Sequence, residues 1–334
     1  MKIFVTGGSG FIGTNFIKLA IKEGHKIFNI DNLKLFKKDW NISHKNYEFK
    51  KINIQNDKKI LEILEYFKPD RLINFAAETH VDDSISKSDV FVKTNILGVH
   101  SLLNASLNYV KNQRKNNTFI FHQISTDEVF GSLKFDENQM KFNEGSLYNP
   151  SSPYSSSKAS ADHLVKAWSK TYNLNYNITY CSNNYGPFQY PSKFIPTVII
   201  KNILERKIPV YGNGMNIRDW LYVEDHVKAL LKITKFNKVN EAYIIGGNNE
   251  FNNIKTANLI CNDFNSKRDD YFDHNSLIQF VEDRKGHDER YAVNTSKIER
   301  ELNWFPDEKF LSGLKKTIEW YKSNTRWWER LYNE

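Results

Sequence analysis

Tyr154 and Lys158 stand four residues apart, so on a helix both side chains would face the same way. A free phenol has a pKa of about 10, too high for a base at neutral pH. A neighbouring ammonium favours the phenolate, and a tyrosine so assisted can take a proton from an alcohol while hydride leaves the same carbon. A second pair, Asp127-Glu128, follows the apolar run Phe119–Ile124 and then Thr126. Two adjacent carboxyls suit acid–base work, one giving a proton and the other removing one. Their surroundings must then hold them in different protonation states. Either pair alone has an ordinary reading, as an amphipathic helix or as a solvated acidic turn. Their weight depends on the elements that would position them.

The first such element is a strand, Lys2–Thr6, that runs into Gly7-Gly8-Ser9-Gly10-Phe11-Ile12-Gly13 and then a helix. Glycines at 7, 10 and 13 allow a tight turn and a close backbone approach to a pyrophosphate. The helix start offers N–H groups to phosphate oxygens. The second strand ends at Asp31-Asn32, near the spacing of about 20 residues expected for the acid that bonds an adenosine ribose. A carboxylate there repels a 2′-phosphate, which favours NAD over NADP; Lys34, Lys37 and Lys38 nearby counter it a little.

The wider pattern agrees. Lys26–Ile30, Tyr47–Ile52, Arg71–Ala76 and Thr118–Ile124 read as further strands, alternating with helical stretches at Phe11–Glu23, Asp57–Phe67 and Phe91–Tyr109. That order implies an α/β fold with a doubly wound parallel sheet. Ser151-Ser152-Pro153 reads as a helix start just ahead of Tyr154. After about residue 175 the loops lengthen and prolines gather at 187, 191, 196 and 209. The expected organisation is a dinucleotide-binding Rossmann domain over 1–178, rejoined by about 217–236, and a smaller mixed domain over 179–334. In the tail, Leu311, Leu314, Ile318 and Tyr321 mark one helical face, and Trp327 and Trp328 read as packing residues.

Composition narrows the function. The 334 residues carry 47 Lys+Arg against 39 Asp+Glu, a net charge of +8, with 40% hydrophobic residues. The apolar content argues against global disorder. The basic excess is read as Lys-rich surface rather than nucleic-acid binding, which requires a clustered patch. Two cysteines, Cys181 and Cys261, exclude a disulfide framework. No apolar run approaches the roughly 20 residues that span a bilayer, and glycine arrives too early for a secretory leader. A soluble cytoplasmic protein is expected, with no membrane partner.

Longer motifs connect these pieces. The chain reads TGGSGFIGTNF at Thr6–Phe16, NFAAETHVDDSI at Asn74–Ile85, TNILG at Thr94–Gly98 and ISTDEVFG at Ile124–Gly131. It continues PSSPYSSSKAS at Pro150–Ser160, CSNNYGP at Cys181–Pro187, RDWLYVEDH at Arg218–His226 and DRKGHDERY at Asp283–Tyr291. With them it resembles the extended short-chain dehydrogenase/reductases and, more closely, the dTDP-glucose 4,6-dehydratases, over almost its whole length. The Thr-Asp-Glu run is the specific part. Sugar-nucleotide 4-epimerases of the superfamily keep the Tyr and Lys but lack the acid pair, and decarboxylating relatives carry the glutamate without the aspartate.

The resemblance implies an NAD-dependent dehydration of a nucleotide-diphosphate glucose to the 4-keto-6-deoxy sugar nucleotide. Tyr154, assisted by Lys158 and Thr126, would take the 4-hydroxyl proton as C4 gives hydride to NAD⁺. Glu128 would remove the C5 proton, Asp127 would protonate the departing 6-hydroxyl, and hydride would return to C6. By motif, Asn53, Ile54, Phe75, Ala76, Ala77, Thr79, Thr94 and Asn184 would line the cofactor. Thr79, Thr126, Asn183, Lys193, Phe194, Pro209, Tyr211, Arg218, Asn253, Arg284, His287 and Tyr291 would meet the sugar nucleotide, whose diphosphate suits arginine. Asn53 stands where the family usually has an aspartate, Lys285 where it usually has a proline, and the stretch 33–43 is poorly matched. The family also implies a homodimer built on the helices Phe91–Tyr109 and Tyr154–Tyr172. The base stays open at this point: UDP- or CDP-glucose dehydration, epimerisation and decarboxylation are the alternatives, because a methyl group in a pocket discriminates only about 10–200-fold.

Overall fold

The computed structural model describes residues 1–34, 42–112, 118–137, 139–267 and 272–332; Lys37 and Lys38 lie outside them. The strands, in chain order, are β1 (Lys2–Thr6), β2 (Lys26–Asp31), β3 (Tyr47–Lys51), β4 (Arg71–Asn74), β5 (Ile120–Thr126) and β6 (Tyr176–Cys181). They continue with β7 (Asn183–Tyr185), β8 (Ile208–Tyr211), β9 (Ile217–Tyr222), β10 (Glu241–Ile245), β11 (Glu250–Asn252) and β12 (Ile278–Val281). Seven form one sheet in the order β10-β6-β5-β4-β1-β2-β3, and every pairing in it is parallel.

Both faces of that sheet are covered, as an all-parallel sheet requires. Alternate residues of β1 split between the two cores: Phe4 joins Ile63, Leu102 and Val165 on one side, while Ile3 and Val5 join Phe16, Ile17 and Leu230 on the other. The first side is covered by the helices Asp57–Phe67, Gly98–Asn112 and Pro153–Tyr172; the second by Phe11–Lys22 and Val223–Lys235, which pack on each other. Arg71, at the start of β4, reaches the end of the helix Val223–Lys235, donating from Nε to the Thr234 carbonyl (3.2 Å) and from Nη2 to Asn237 Oδ1 (2.9 Å).

The expected strand–helix over 217–236 is present, but its halves go to different places. β9 sits between β7 and β11 in a separate three-stranded sheet, and only the following helix covers the large sheet. The large sheet's last strand, β10, comes later still, beyond residue 236. β8 and β12 make a third, two-stranded sheet. A third core built on Ile195, Ile199, Trp220, Ile260, Ile318 and Trp328 holds these parts together. The tail helix runs Phe310–Ser323, and its inner face is Phe310, Leu314, Ile318 and Tyr321. Leu311, expected on that face, is 54% exposed, because Phe310 begins the stripe one residue earlier. Trp328 is buried and donates its indole N–H to the Tyr321 carbonyl at 2.9 Å.

Candidate active site

The sheet order reverses between β1 and β4, and a deep cleft opens at their carboxyl ends, the place where such sheets bind ligands. Gly7, Gly10, Phe11, Ile12 and Gly13 line it after β1, Asp31 and Asn32 after β2, and Asn53 and Ile54 after β3. Phe75, Ala76, Ala77 and Thr79 line it after β4, with Thr94, Tyr154, Lys158 and Asn184 along its far wall. All the cofactor contacts expected from the sequence therefore surround one space. Gly7 has φ +67°, and a Cβ on it would lie 2.5 Å from the Ala76 nitrogen. A Cβ on Gly13 would lie 2.7 Å from the Gly7 carbonyl oxygen. The backbone is thus drawn too close for any side chain, as a pyrophosphate cradle needs. Gly10 caps the helix Phe11–Lys22 without a side chain, and the first turn carries no carboxylate, so its N–H end is left for an anion. Asp31 accepts from the Ser9 amide (3.1 Å) and the Leu33 amide (2.8 Å), which fixes its carboxylate at the cleft edge. These features fit a bound dinucleotide.

Two residues outside the expected contacts brace the cleft: Lys34 in its lining and Asn95 behind it. Lys34 Nζ meets Glu78 Oε1 at 2.6 Å, joining the loops after β2 and β4. Asn95 lies in a π-helical stretch, Val92–Leu97. It accepts from the Glu78 amide (2.9 Å) and donates to the Glu78 carbonyl (3.0 Å) and to Ser157 Oγ (2.8 Å). It thereby ties the loop after β4 to the helix that carries Tyr154. No spacing in the sequence marks it.

That helix, Pro153–Tyr172, begins with a capping box. Ser152 Oγ accepts from the Ser155 amide (3.1 Å), and Ser155 Oγ accepts from the Ser152 amide (3.0 Å). The sequence signal at Ser152-Pro153 is therefore read correctly. Tyr154 and Lys158 are both buried and both reach the cleft. Lys158 Nζ donates to the Ile124 carbonyl at 2.6 Å. β5 continues two residues further than expected, so Thr126 is its last residue, and Asp127–Phe130 forms a single 3-10 turn. Thr126 Oγ1 caps that turn by accepting from the Glu128 amide (3.3 Å).

The electrostatics separate the groups. Burial pushes the Asp127 carboxyl well above the usual carboxylate range; the Glu128 and Asp219 charges add to this, and Arg218 opposes it. Burial raises Glu128 too, but Arg284, Arg218 and Lys193 all pull it back. Asp127 Oδ2 is buried with no hydrogen-bond partner among the described residues, which suits a carboxyl that keeps its proton. Tyr154 departs from expectation. Burial raises its phenol well above the ordinary value and Glu128 adds to that, while Thr126 pulls it down. Desolvation outweighs the help expected from Lys158, so the phenol is held above its ordinary value.

Of the expected substrate contacts, Thr79, Thr126, Asn183 and Lys193 line the cleft, and the other eight lie outside its lining. Six of those eight fall into two groups, one around Asp288 and one around Asp82 and Asp283. The Arg218 guanidinium lies over the Tyr291 ring at 4.4 Å and donates to the Asp288 carbonyl (3.0 Å). Tyr291 hydroxyl binds the Asp288 carboxylate. The Asn253 amide donates to the Asn216 carbonyl (3.1 Å), and Asn216 Nδ2 donates to the Asp288 carbonyl (3.1 Å). Arg284 Nη1 faces Asp82 at 3.8 Å, and Tyr211 donates to the same carboxylate (3.2 Å). His287 Nδ1 pairs with Asp283 at 2.6 Å. Phe194 and Pro209 stand apart: Phe194 stacks on Trp220 in the third core, and Pro209 is exposed on β8.

This combination of glycine cradle, Tyr-Lys helix and split acid pair can be set against known proteins. The sequence profile of the GDP-mannose 4,6 dehydratase family matches residues 4–317. A dTDP-glucose 4,6-dehydratase of Salmonella typhimurium is 44% identical over 340 aligned residues, covering 98% of this chain and 94% of the relative. The chain belongs to the dTDP-glucose 4,6-dehydratase family. Solved dehydratases of the family share the whole architecture. One from Bacillus anthracis, in complex with NAD, superposes with a TM-score of 0.86 at 39% identity and 99% coverage of both chains. DesIV, a dTDP-glucose 4,6-dehydratase from Streptomyces venezuelae with NAD and TYD bound, gives 0.89 at 32% identity, covering 99% of this chain and 100% of DesIV.

Proposed function

We propose that the protein is an NAD-dependent hydro-lyase that converts dTDP-glucose to its 4-keto-6-deoxy derivative and water. The observation that carries this reading is the acid pair beside the tyrosine: Asp127 pushed well above the usual carboxylate range by burial, and Glu128 raised less freely because three cations counter its burial. Bound in the cleft, NAD would supply an acceptor and donor of hydride at the sugar ring. Gly7, Gly10 and Gly13 would hold its pyrophosphate, and Asp31 its adenosine ribose. Tyr154, once ionised, would receive the 4-hydroxyl proton. Glu128 would take the proton at C5, acidified by the neighbouring ketone, and Asp127 would give its proton to the leaving hydroxyl. Arg218, Arg284 and Lys193 would face the diphosphate.

Among the described residues no helix is long and apolar enough to cross a membrane. The working state is taken as a cytoplasmic homodimer. Val92, Leu97 and Tyr172, each 45–50% exposed, support a partner on the helices flanking Tyr154.

The deciding experiment offers dTDP-, UDP- and CDP-glucose and weighs the products. Loss of one water from dTDP-glucose, faster than from the other two, is expected. A 4-epimer, released carbon dioxide, or sugar nucleotides that all keep their water would overturn the reading. Glu128→Gln should slow turnover by about 10²–10⁴-fold, the range for one acid–base group; a near-normal rate would remove Glu128 from the chemistry.

A further inference from the structure

Behind the Tyr154–Lys158 pair the same helix carries Asp162 and Lys166, so Lys158, Asp162 and Lys166 repeat at one-turn spacing on one face. Asp162 is fully buried and does not line the cleft. Its Oδ2 accepts from Ser125 Oγ at 2.5 Å, on β5, and from the Tyr148 hydroxyl at 3.4 Å. Tyr148 is itself held: its hydroxyl lies 2.6 Å from that of Tyr180 on β6 and accepts from Lys166 Nζ at 3.1 Å. Asp162 Oδ1 is buried with no hydrogen-bond partner among the described residues. A buried carboxylate bonded on one oxygen only is costly unless an opposite charge compensates it. One turn back, Lys158 spends its hydrogen bond on a neutral carbonyl, that of Ile124. Each of these two buried groups lacks what the other carries.

We propose that Asp162 is a positioning residue for Lys158: fixed by Ser125 and Tyr148, its carboxylate is the buried counter-charge that keeps the Lys158 ammonium protonated beside Tyr154. This rests on the reading of Tyr154 and Lys158 as the acid–base pair. The groups that face the two residues agree with it. Burial lowers Lys158, and Asp162 is the first influence opposing that, followed by Cys181 on β6. Burial raises Asp162 to about 6, and Lys158 is the first influence opposing that, ahead of Ser125, Lys166 and Tyr148. At neutral pH Asp162 is thus mainly ionised and each charge supports the other. Ser125 immediately precedes Thr126-Asp127-Glu128, so the same carboxylate also ties the acid-bearing strand end to the helix.

The test compares the full-length protein as purified with Asp162→Asn. Lysines are acylated competitively with acetic anhydride across a pH series and read peptide by peptide by mass spectrometry. The Lys158 midpoint should fall by at least one pH unit in Asp162→Asn, while that of Lys193 stays put. The alkaline limb of kcat for dTDP-glucose should move down by a similar amount, with KM changed less than about threefold. Ser125→Ala leaves the charge but frees Oδ2, so it should shift the Lys158 midpoint in the same direction by less, and it stands in if Asp162→Asn does not fold. An unchanged Lys158 midpoint in the folded variants overturns the proposal. Absence of dehydratase turnover in the unmutated protein would instead overturn the proposed function, because the labelling does not depend on it.

Discussion

Asp127 and Glu128 are adjacent in the chain but sit in different fields. The 3-10 turn that follows β5 sends Glu128 into the cleft, within reach of three cations, and leaves Asp127 buried behind it with one bare oxygen. The residue types alone show that two carboxyls are available; which one keeps its proton depends on Arg218, Arg284 and Lys193, which arrive from distant parts of the chain. Gly7 shows the reverse case, a role legible from sequence and then made quantitative. A methyl group there meets the Ala76 backbone at 2.5 Å, and the positive φ adds strain of about 1–3 kcal/mol. Gly7→Ala should therefore weaken NAD binding at least tenfold by equilibrium titration and lower stability in chemical denaturation. Unchanged NAD affinity would refute the assigned close approach.

At the scale of elements, the helix Pro153–Tyr172 does the positioning. Tyr154 is its second residue, so the start of the helix fixes where the phenol stands. Ser152→Ala removes the bond to the Ser155 amide and should cost about 0.5–2 kcal/mol in chemical denaturation. Turnover should fall several-fold alongside, since the first turn holds the phenol; stability lost with turnover intact would show that the cap serves folding alone. This start was legible because capping is local chemistry, carried by Ser152 and Pro153 themselves. The π-helical stretch Val92–Leu97 was not legible and was read as plain helix. Its register is set by Asn95 reaching Glu78 and Ser157, contacts made across the fold. The same holds for the group around Asp288. Motif resemblance supplied Arg218 and Tyr291, but the Asp288 contacts that join them depend on how β9 and the 283–291 loop meet.

For the molecule as a whole, the +8 charge resolves into scattered lysines, many already paired, as Lys235 is with Glu23 and Lys267 with Glu319. Acid sensitivity lies inside instead. His122 and His226 are buried and neutral, their pKa values pushed down to about 3 chiefly by desolvation. His226 Nδ1 lies 2.9 Å from Asn184 Oδ1, while its Nε2 is buried without a hydrogen bond among the described residues. Each ring takes up a proton on unfolding at any pH between about 3 and an unfolded value of about 6.5. The unfolded state therefore gains as pH falls through that window, and from pH 6.5 to 5 stability should drop by about 1–2 kcal/mol per histidine. Between pH 7 and 5 the buried carboxyls Asp127 and Asp162 act in the opposite direction, so the histidine effect is read by difference: His226→Gln should lose less thermal stability over that range than the parent, and a parallel slope would exclude this site. The sequence made the first half of the large domain plain, because strands and helices alternate there directly along the chain. It hid β10, which pairs with β6 only after the chain has built β7, β8 and β9 elsewhere. That detour has a consequence during synthesis. At roughly 5–20 residues per second, the ribosome makes β10 about 3–12 s after β6 is complete. Through that interval the nascent chain presents β6 as an unpaired edge, the state most open to chaperones and to mispairing with another chain.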